Sequence, residues 1–268
     1  MLLRDKVVLV TGGANGIGAA LCRRFAAEGV KGLAVVDRDA KGSTELAHAL
    51  DPNGERVIGL AANVTRESDV VSAVDVTESR FGPIDLLVSN AGIAVNGGVE
   101  VPDDQWQAIW EVNVMAHVYA ARAVLPGMIA RGEGYLLNTA SAAGLLTNLG
   151  TAPYSVTKHA AVGLAEWLAI THGDQGIKVS CLCPQGVRTN MLLGTGDSSA
   201  SGTASEVVLA QGAIEPDEVA EAVVRGLAAE DFLILPHPKV LTYFQRKAGD
   251  YDRWLAGMRK LQARFEST

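Results

Sequence analysis

The sequence contains no run of 18 apolar residues, although 48% of its 268 residues are hydrophobic, so no segment reads as a membrane span. The apolar stretch nearest the N-terminus, Val7-Val8-Leu9-Val10, follows Arg4, Asp5 and Lys6 and is too short for the core of a secretory signal. Cysteine is scarce. The three present, Cys22, Cys181 and Cys183, form no even disulfide framework, and Cys181 and Cys183 stand one residue apart rather than the two usual in zinc or redox pairs. A soluble protein of a reducing cytoplasm is the expectation. The five histidines, His48, His117, His159, His172 and His237, show no ligand spacing with Cys, Asp or Glu, so they read as surface or packing residues and no metal centre is expected. Basic residues are in deficit as well. With 23 Lys and Arg against 30 Asp and Glu, the net charge is -7. Phosphate-backbone binding needs a concentrated basic surface, so a nucleic-acid partner is not expected and an enzyme of small metabolites fits better. Repeats and low-complexity blocks are absent too.

What is present is an alternation. Short β-branched or apolar runs at 7–10, 33–36, 56–60, 84–89, 135–138, 177–182 and 232–235 read as strands. Between them, 16–28, 40–50, 67–81, 104–128, 154–172 and 217–229 have helical length and pattern. Alternating strands and helices imply βαβ units: an α/β fold with a doubly wound parallel sheet of Rossmann type, helices on both faces. The length suits one core, predicted over residues 1–238. The irregular, Gly/Ser-rich stretch 193–211 reads as a mobile loop of the kind that forms lids.

Val7 to Val10 run into Thr11-Gly12-Gly13-Ala14-Asn15-Gly16-Ile17-Gly18, an apolar strand entering a glycine-rich turn that opens a helix. Glycines there let the backbone approach a pyrophosphate, and the first N–H groups of the helix point at the anion. Asp37, 19 residues after Gly18 at the end of the second predicted strand, suits the hydroxyls of an adenosine ribose. Arg38 follows it directly. Together they predict a dinucleotide site for NAD.

Tyr154 and Lys158 lie four apart on one face of a helix. A phenol is a poor base at neutral pH unless a cation stabilises the phenolate, and Lys158 supplies that charge. Ser141 follows the strand 135–138, at the sheet edge where ligand-facing residues gather.

With these residues in place the chain resembles the short-chain dehydrogenase/reductase family, in its compact, NAD-preferring branch, from Leu3 to about Leu235. Thr11, Gly12, Gly16 and Gly18, then Asn90-Ala91-Gly92, Asn113, Ser141, and Tyr154 with Lys158 match the family's motifs in the family's order. The resemblance implies a hydride exchanged between NAD(H) and a secondary alcohol or ketone. Tyr154 would be the general acid/base, Lys158 would lower its pKa and hold the nicotinamide ribose, Ser141 would orient the substrate oxygen, and Asn113 would hold a relay water. Asn15, Ile17, Asn63, Val64, Pro184, Gly186, Val187 and Thr189 complete the implied cofactor surface. Two departures stand out: Asn63 where relatives carry Asp, and Gln185 where the family's usual glycine follows proline, which puts the backbone path of that loop in question.

Leu145, Leu146, Gln185, Met191 and Leu192 are the candidate substrate residues, and they suggest an apolar or cyclic alcohol. Residues 239–268 form a separate tail. Phe244, Tyr251, Trp254, Leu255, Met258, Leu261 and Phe265 make one helical stripe, and the tail carries +4 against -11 for the rest of the chain. Docking on the acidic body or on a neighbouring subunit of a homo-oligomer is favoured over a membrane surface. Two rivals stay open: a catalytically silent NAD-binding regulatory protein, and an isomerase or dehydratase of the same fold.

Overall fold

The computed structural model describes residues 1–193 and 212–266, with side chains to residue 264. The predicted loop at 194–211 and the side chain of Phe265 lie outside the described residues. Seven strands form one parallel sheet: β1 (Val7–Thr11), β2 (Gly32–Asp37), β3 (Val57–Ala61), β4 (Leu86–Ser89), β5 (Gly134–Thr139), β6 (Ile177–Leu182) and β7 (Leu233–Ile234). Their order is β3-β2-β1-β4-β5-β6-β7. The chain therefore reverses direction across the sheet between β1 and β4. The crevice above that switch, at the strand C-termini, is where such sheets hold ligands.

The strands form because their residues are buried on both faces, as continuous Val/Leu runs demand. Leu9, Val36, Leu87, Leu136 and Cys181 face one apolar layer, and Val8, Val10, Leu33, Val35, Val88 and Leu137 face the other. Each such side chain contributes about 1.5–3 kcal/mol by leaving water. The helices α1 (Gly16–Ala27), α2 (Ala40–Leu50), α3 (Glu67–Phe81), α4 (Asp103–Trp110), α5 (Ala116–Arg131), α6 (Ala143–Leu146), α7 (Ala152–His172), α8 (Asn190–Leu193) and α9 (Pro216–Ala229) cover both layers or border the crevice. The stretch Asp103–Arg131 is long and apolar enough to cross a bilayer, yet Ile109, Val114, Ala120, Val124 and Met128 are spent on the core.

Two elements differ from expectation. The single helix predicted over 104–128 is split by a π-helical turn at Glu111–Met115. The tail is not one helix but two, α10 (Lys239–Gly249) and α11 (Tyr251–Glu266), broken where Asp250 is extended (φ -156, ψ 91). The apolar stripe is divided accordingly. Phe244 packs against the core, Trp254, Met258 and Leu261 turn to the crevice, and Tyr251 and Leu255 are exposed. Val240 is fully buried, and Lys247 donates to the Leu145 carbonyl at 2.7 Å, which pins α10 to the segment that follows Ser141.

Candidate active site

The crevice is a cleft of about 1200 Å³ along the C-terminal edge of the sheet. At one end lies the glycine turn. Gly12 and Gly16 have positive φ (63° and 52°), and a Cβ on Gly18 would lie 2.0 Å from the Gly12 carbonyl oxygen, so no larger residue fits. Gly12, Asn15, Gly16 and Ile17 line the cleft, whereas Gly18 is buried against the turn and acts by packing. Asn90 fixes the turn from β4: its Nδ2 donates to the Thr11 and Gly12 carbonyls at 3.1 and 3.3 Å. Its own amide is thereby spent, and Ala91 and Gly92 extend the wall.

Asp37 ends β2 facing the same turn. Oδ2 accepts the Ala14 N–H at 3.0 Å and Oδ1 accepts the Asp39 N–H at 3.0 Å, which leaves each oxygen lone-pair capacity for a ligand hydroxyl. Arg38 lines the cleft beside it and is exposed. Asn63 and Val64 form the next wall. Asn63 Oδ1 is occupied by the Thr65 N–H and hydroxyl (3.1 and 2.9 Å), so its Nδ2 donors are what the side chain can offer.

At the other end, Ser141, Tyr154 and Lys158 share the cleft wall. Ser141 follows β5, and its Oγ donates to the Pro184 carbonyl (3.4 Å) while accepting the Ala143 N–H (3.1 Å). Tyr154 and Lys158 come from the first turns of α7. This helix packs tightly on α6, since a Cβ on Gly144 would meet the Lys158 carbonyl at 2.5 Å. The Lys158 ammonium donates to the Thr139 carbonyl at 2.9 Å and lies 5.7 Å from the centre of the Tyr154 ring. Burial lowers its pKa to about 8. Burial raises the Tyr154 phenol above its ordinary value, and the adjacent Ser141 hydroxyl pulls it back. Gly92 leaves the passage beside Lys158 open, where a Cβ would stand 3.5 Å from the ammonium.

Asn113 sits in the π-helical turn, fully buried. Its Oδ1 accepts the Ile93 N–H at 2.9 Å, and its Nδ2 donates to the Ile93 carbonyl (3.0 Å) and to Thr157 Oγ1 (3.2 Å). The extra residue per turn brings the side chain to Ile93. Both amide hydrogens of that side chain are spent, and Asn113 stands behind the cleft wall rather than on it.

The loop after β6 completes the wall with Pro184, Gln185, Val187 and Thr189, followed by Met191 and Leu192 of α8. Gly186 does not line the cleft; its carbonyl takes the Ile214 N–H and the His237 ring. Leu145 is likewise turned into the core, while Leu146 reaches the cleft. Tyr243, Arg246, Trp254, Met258 and Leu261 of the tail also line the cleft. The amphipathic stripe of this roof is legible in the sequence, and nothing in its pattern says which surface it covers. Cys183, beside the catalytic face, is fully buried and 3.7 Å from Cys181 Sγ to Sγ.

A family model described as short chain dehydrogenase matches residues 6–198. The chain belongs to the short-chain dehydrogenase family. This short-chain dehydrogenase is 34% identical to meso-2,3-butanediol dehydrogenase of Serratia marcescens over 86% of this chain and 90% of that one. It is 32% identical to 3beta-hydroxysteroid dehydrogenase 2 of Eggerthella lenta over 82% and 87%. Its fold superimposes on a short-chain dehydrogenase/reductase from Burkholderia phymatum, solved in complex with NAD, with a TM-score of 0.83 at 27% identity, covering 94% of this chain and 96% of that one. The protein is an oxidoreductase of this family.

Proposed function

We propose that the protein is an NAD(H)-dependent dehydrogenase that interconverts a secondary alcohol and its ketone. The observation that carries the reading is the convergence of Ser141, Tyr154 and Lys158 on one wall of the cleft, between Gly92 and the loop 184–189. A dinucleotide fits the other end: the glycine turn is too tight for larger residues, Gly16 and Ile17 bring the start of α1 to the cleft, and Asp37 keeps free lone pairs. When bound, the nicotinamide supplies or accepts the hydride.

The remaining work falls to the chain's own side chains. Asp37 accepts from the adenosine ribose hydroxyls, with Arg38, Asn63 and Val64 around the adenine. Val187 and Thr189 hold the carboxamide side. Ser141 orients the substrate oxygen, and the Tyr154 hydroxyl gives that oxygen a proton in reduction or takes one in oxidation. Lys158 favours the phenolate electrostatically and holds the nicotinamide ribose. The main-chain carbonyl of Asn113 can hold a relay water.

Leu146, Met191 and Leu192, roofed by Tyr243, Trp254 and Met258, favour an apolar, bulky or cyclic substrate. Relatives named for a butanediol and a hydroxysteroid support a secondary alcohol as the substrate class. Exposed Val156, Trp167 and Ile170 on α7 suit a homo-oligomer, and three buried free cysteines suit a cytoplasmic location. A panel of cyclic, aryl, steroidal and long-chain alcohols and ketones, followed at the nicotinamide absorbance, tests the reading. Turnover with NAD(H) on secondary alcohols supports it, and no turnover across the panel despite NADH binding would favour the silent nucleotide-binding protein.

A further inference from the structure

The segment after β7 returns to the cleft through one buried histidine. His237 stands just ahead of α10 and is 8% exposed. Its Nδ1 accepts the Gln185 main-chain N–H at 3.1 Å, and its Nε2 lies 3.0 Å from the Gly186 carbonyl. A main-chain N–H can only donate and a carbonyl can only accept, so the ring is held as the Nε2–H tautomer with both nitrogens engaged. Burial keeps the imidazole below its ordinary pKa, against the opposing pull of the Gly186 carbonyl and the Glu218 carboxylate. The neutral ring this bonding requires is therefore the form present near neutral pH.

The two peptides His237 grips are the start of the cofactor-facing loop. Immediately before them, the Pro184 carbonyl accepts the Ala142 N–H at 2.8 Å and the Ser141 hydroxyl at 3.4 Å. Immediately after them come Val187 and Thr189 on the cleft wall. Gln185 is not among the residues with positive φ, so the loop follows a path open to any L-residue, and that path is fixed on one side by the Ser141 segment. On the other side it is fixed by His237 and the Ile214 N–H.

We propose that His237 is a positioning residue, which holds the Gln185–Gly186 peptides in the path that presents Val187 and Thr189 to the nicotinamide end of the cleft and the Pro184 carbonyl to Ser141. This rests on the dinucleotide reading of the cleft. It also makes the C-terminal tail a neighbour of the cofactor wall, since the same few residues begin α10. A histidine that merely filled space would tolerate an aromatic ring of similar volume.

The test uses the full chain with His237→Phe, which keeps volume and loses both bonds, and His237→Asn, which keeps an acceptor where Nδ1 stands. NADH affinity is measured by calorimetry and hydrogen exchange at Gln185 by mass spectrometry, alongside the KM values for dinucleotide and alcohol. His237→Phe weakens NADH binding about tenfold, the loss expected of one hydrogen bond, and raises the dinucleotide KM in step. The alcohol KM stays within about threefold by the same arithmetic, the Gln185 amide exchanges faster, and His237→Asn recovers most of the affinity and the protection. Wild-type NADH affinity in a folded His237→Phe protein overturns the proposal, even if exchange is faster. If His237→Phe does not fold, His237→Leu, which also lacks both bonds, is measured in its place: a loss of NADH affinity of more than about threefold supports the proposal, and affinity within about threefold of wild type in a folded protein overturns it. Absence of NADH binding by the wild type would bring down the dinucleotide reading itself, and the proposal with it.

Discussion

Lys158 donates to the main-chain carbonyl of Thr139 at 2.9 Å, and this bond holds the ammonium 5.7 Å from the centre of the Tyr154 ring. In the proposed reaction the cation would act on the phenol through space, from a position fixed at the end of β5.

The first prediction follows from that placement. Oxidation needs the phenolate, so any group that stabilises it moves the rising limb of the pH profile to lower pH. Burial raises the Tyr154 pKa and the Ser141 hydroxyl pulls it back; a protonated Lys158, its own pKa lowered to about 8, would favour the phenolate further while it keeps its charge. At a separation of the order of the 5.7 Å between the ammonium and the ring centre, and an effective dielectric of 20, a unit charge is worth about 3 kcal/mol, or roughly two pKa units. Lys158→Met therefore moves the limb of kcat/KM for alcohol oxidation upward by at least about one unit. An unchanged profile contradicts the role given to Lys158.

Asp37 sets the second. Its two oxygens each hold one main-chain N–H, from Ala14 and Asp39, which fixes the carboxylate at the cleft. A 2′-phosphate placed there meets a repulsion of around 4 kcal/mol per unit charge at 4 Å and an effective dielectric near 20. Arg38 is exposed and is the one basic residue beside Asp37 on the cleft among the described residues, too little to offset the repulsion together with the lost hydrogen bonds. Steady-state kinetics on one substrate give NAD at least about 100-fold over NADP in kcat/KM, roughly 2.7 kcal/mol, and Asp37→Ser narrows the gap. Equal efficiency with the two cofactors removes Asp37 from this role.

A third prediction concerns acid stability. His117 on α5 is 1% exposed, with Nδ1 3.0 Å from Asn138 Oδ1. Burial first, and the nearby Lys158 charge second, lower its pKa from 6.5 to about 4. Between these values the unfolded chain takes up a proton that the folded chain refuses. The stability due to a neutral His117 is therefore complete above pH 6.5 and is lost as pH falls toward 4, up to about 3 kcal/mol. Urea unfolding at pH 7 and pH 4.5 measures it. His117→Gln removes most of this pH dependence, and equal pH slopes in the two proteins would show that the ring is not the titrating group.

Much of this was legible in the sequence, for reasons that particular residues make clear. α2, α3 and β6 fall where the pattern places them, because runs such as Ile177–Leu182 are buried at every position but Lys178 and propensity agrees with packing. The glycine turn, Asp37, Ser141, Tyr154 and Lys158 were legible because dinucleotide and proton chemistry demand those residue types at those spacings. What was hidden is decided by contacts between distant parts of the chain. The π-helical turn at Asn113 is held by the Ile93 backbone, and the break at Asp250 lets Trp254 fold over a cleft whose other walls come from distant segments between Gly12 and Leu192. His237 reads as a packing histidine because its partners are main-chain groups, which leave no side-chain signature. Gly18 and Gly186 were read as cofactor contacts because motifs do not distinguish a glycine that touches the ligand from one that makes room for its neighbours.

The central claim is that hydride moves between a dinucleotide and a carbinol carbon while Tyr154 moves the proton. Its most direct measurement is deuterium transfer from NADH deuterated at both C4 positions to a ketone of the apolar panel, read by mass spectrometry of the product, for the wild type and Tyr154→Phe. The account predicts one deuterium on the carbinol carbon with the wild type. For Tyr154→Phe it predicts a rate lower by about 10²–10⁴, with NADH affinity within about threefold of wild type. Product without deuterium, or a Tyr154→Phe protein retaining more than about a tenth of the rate, would contradict it.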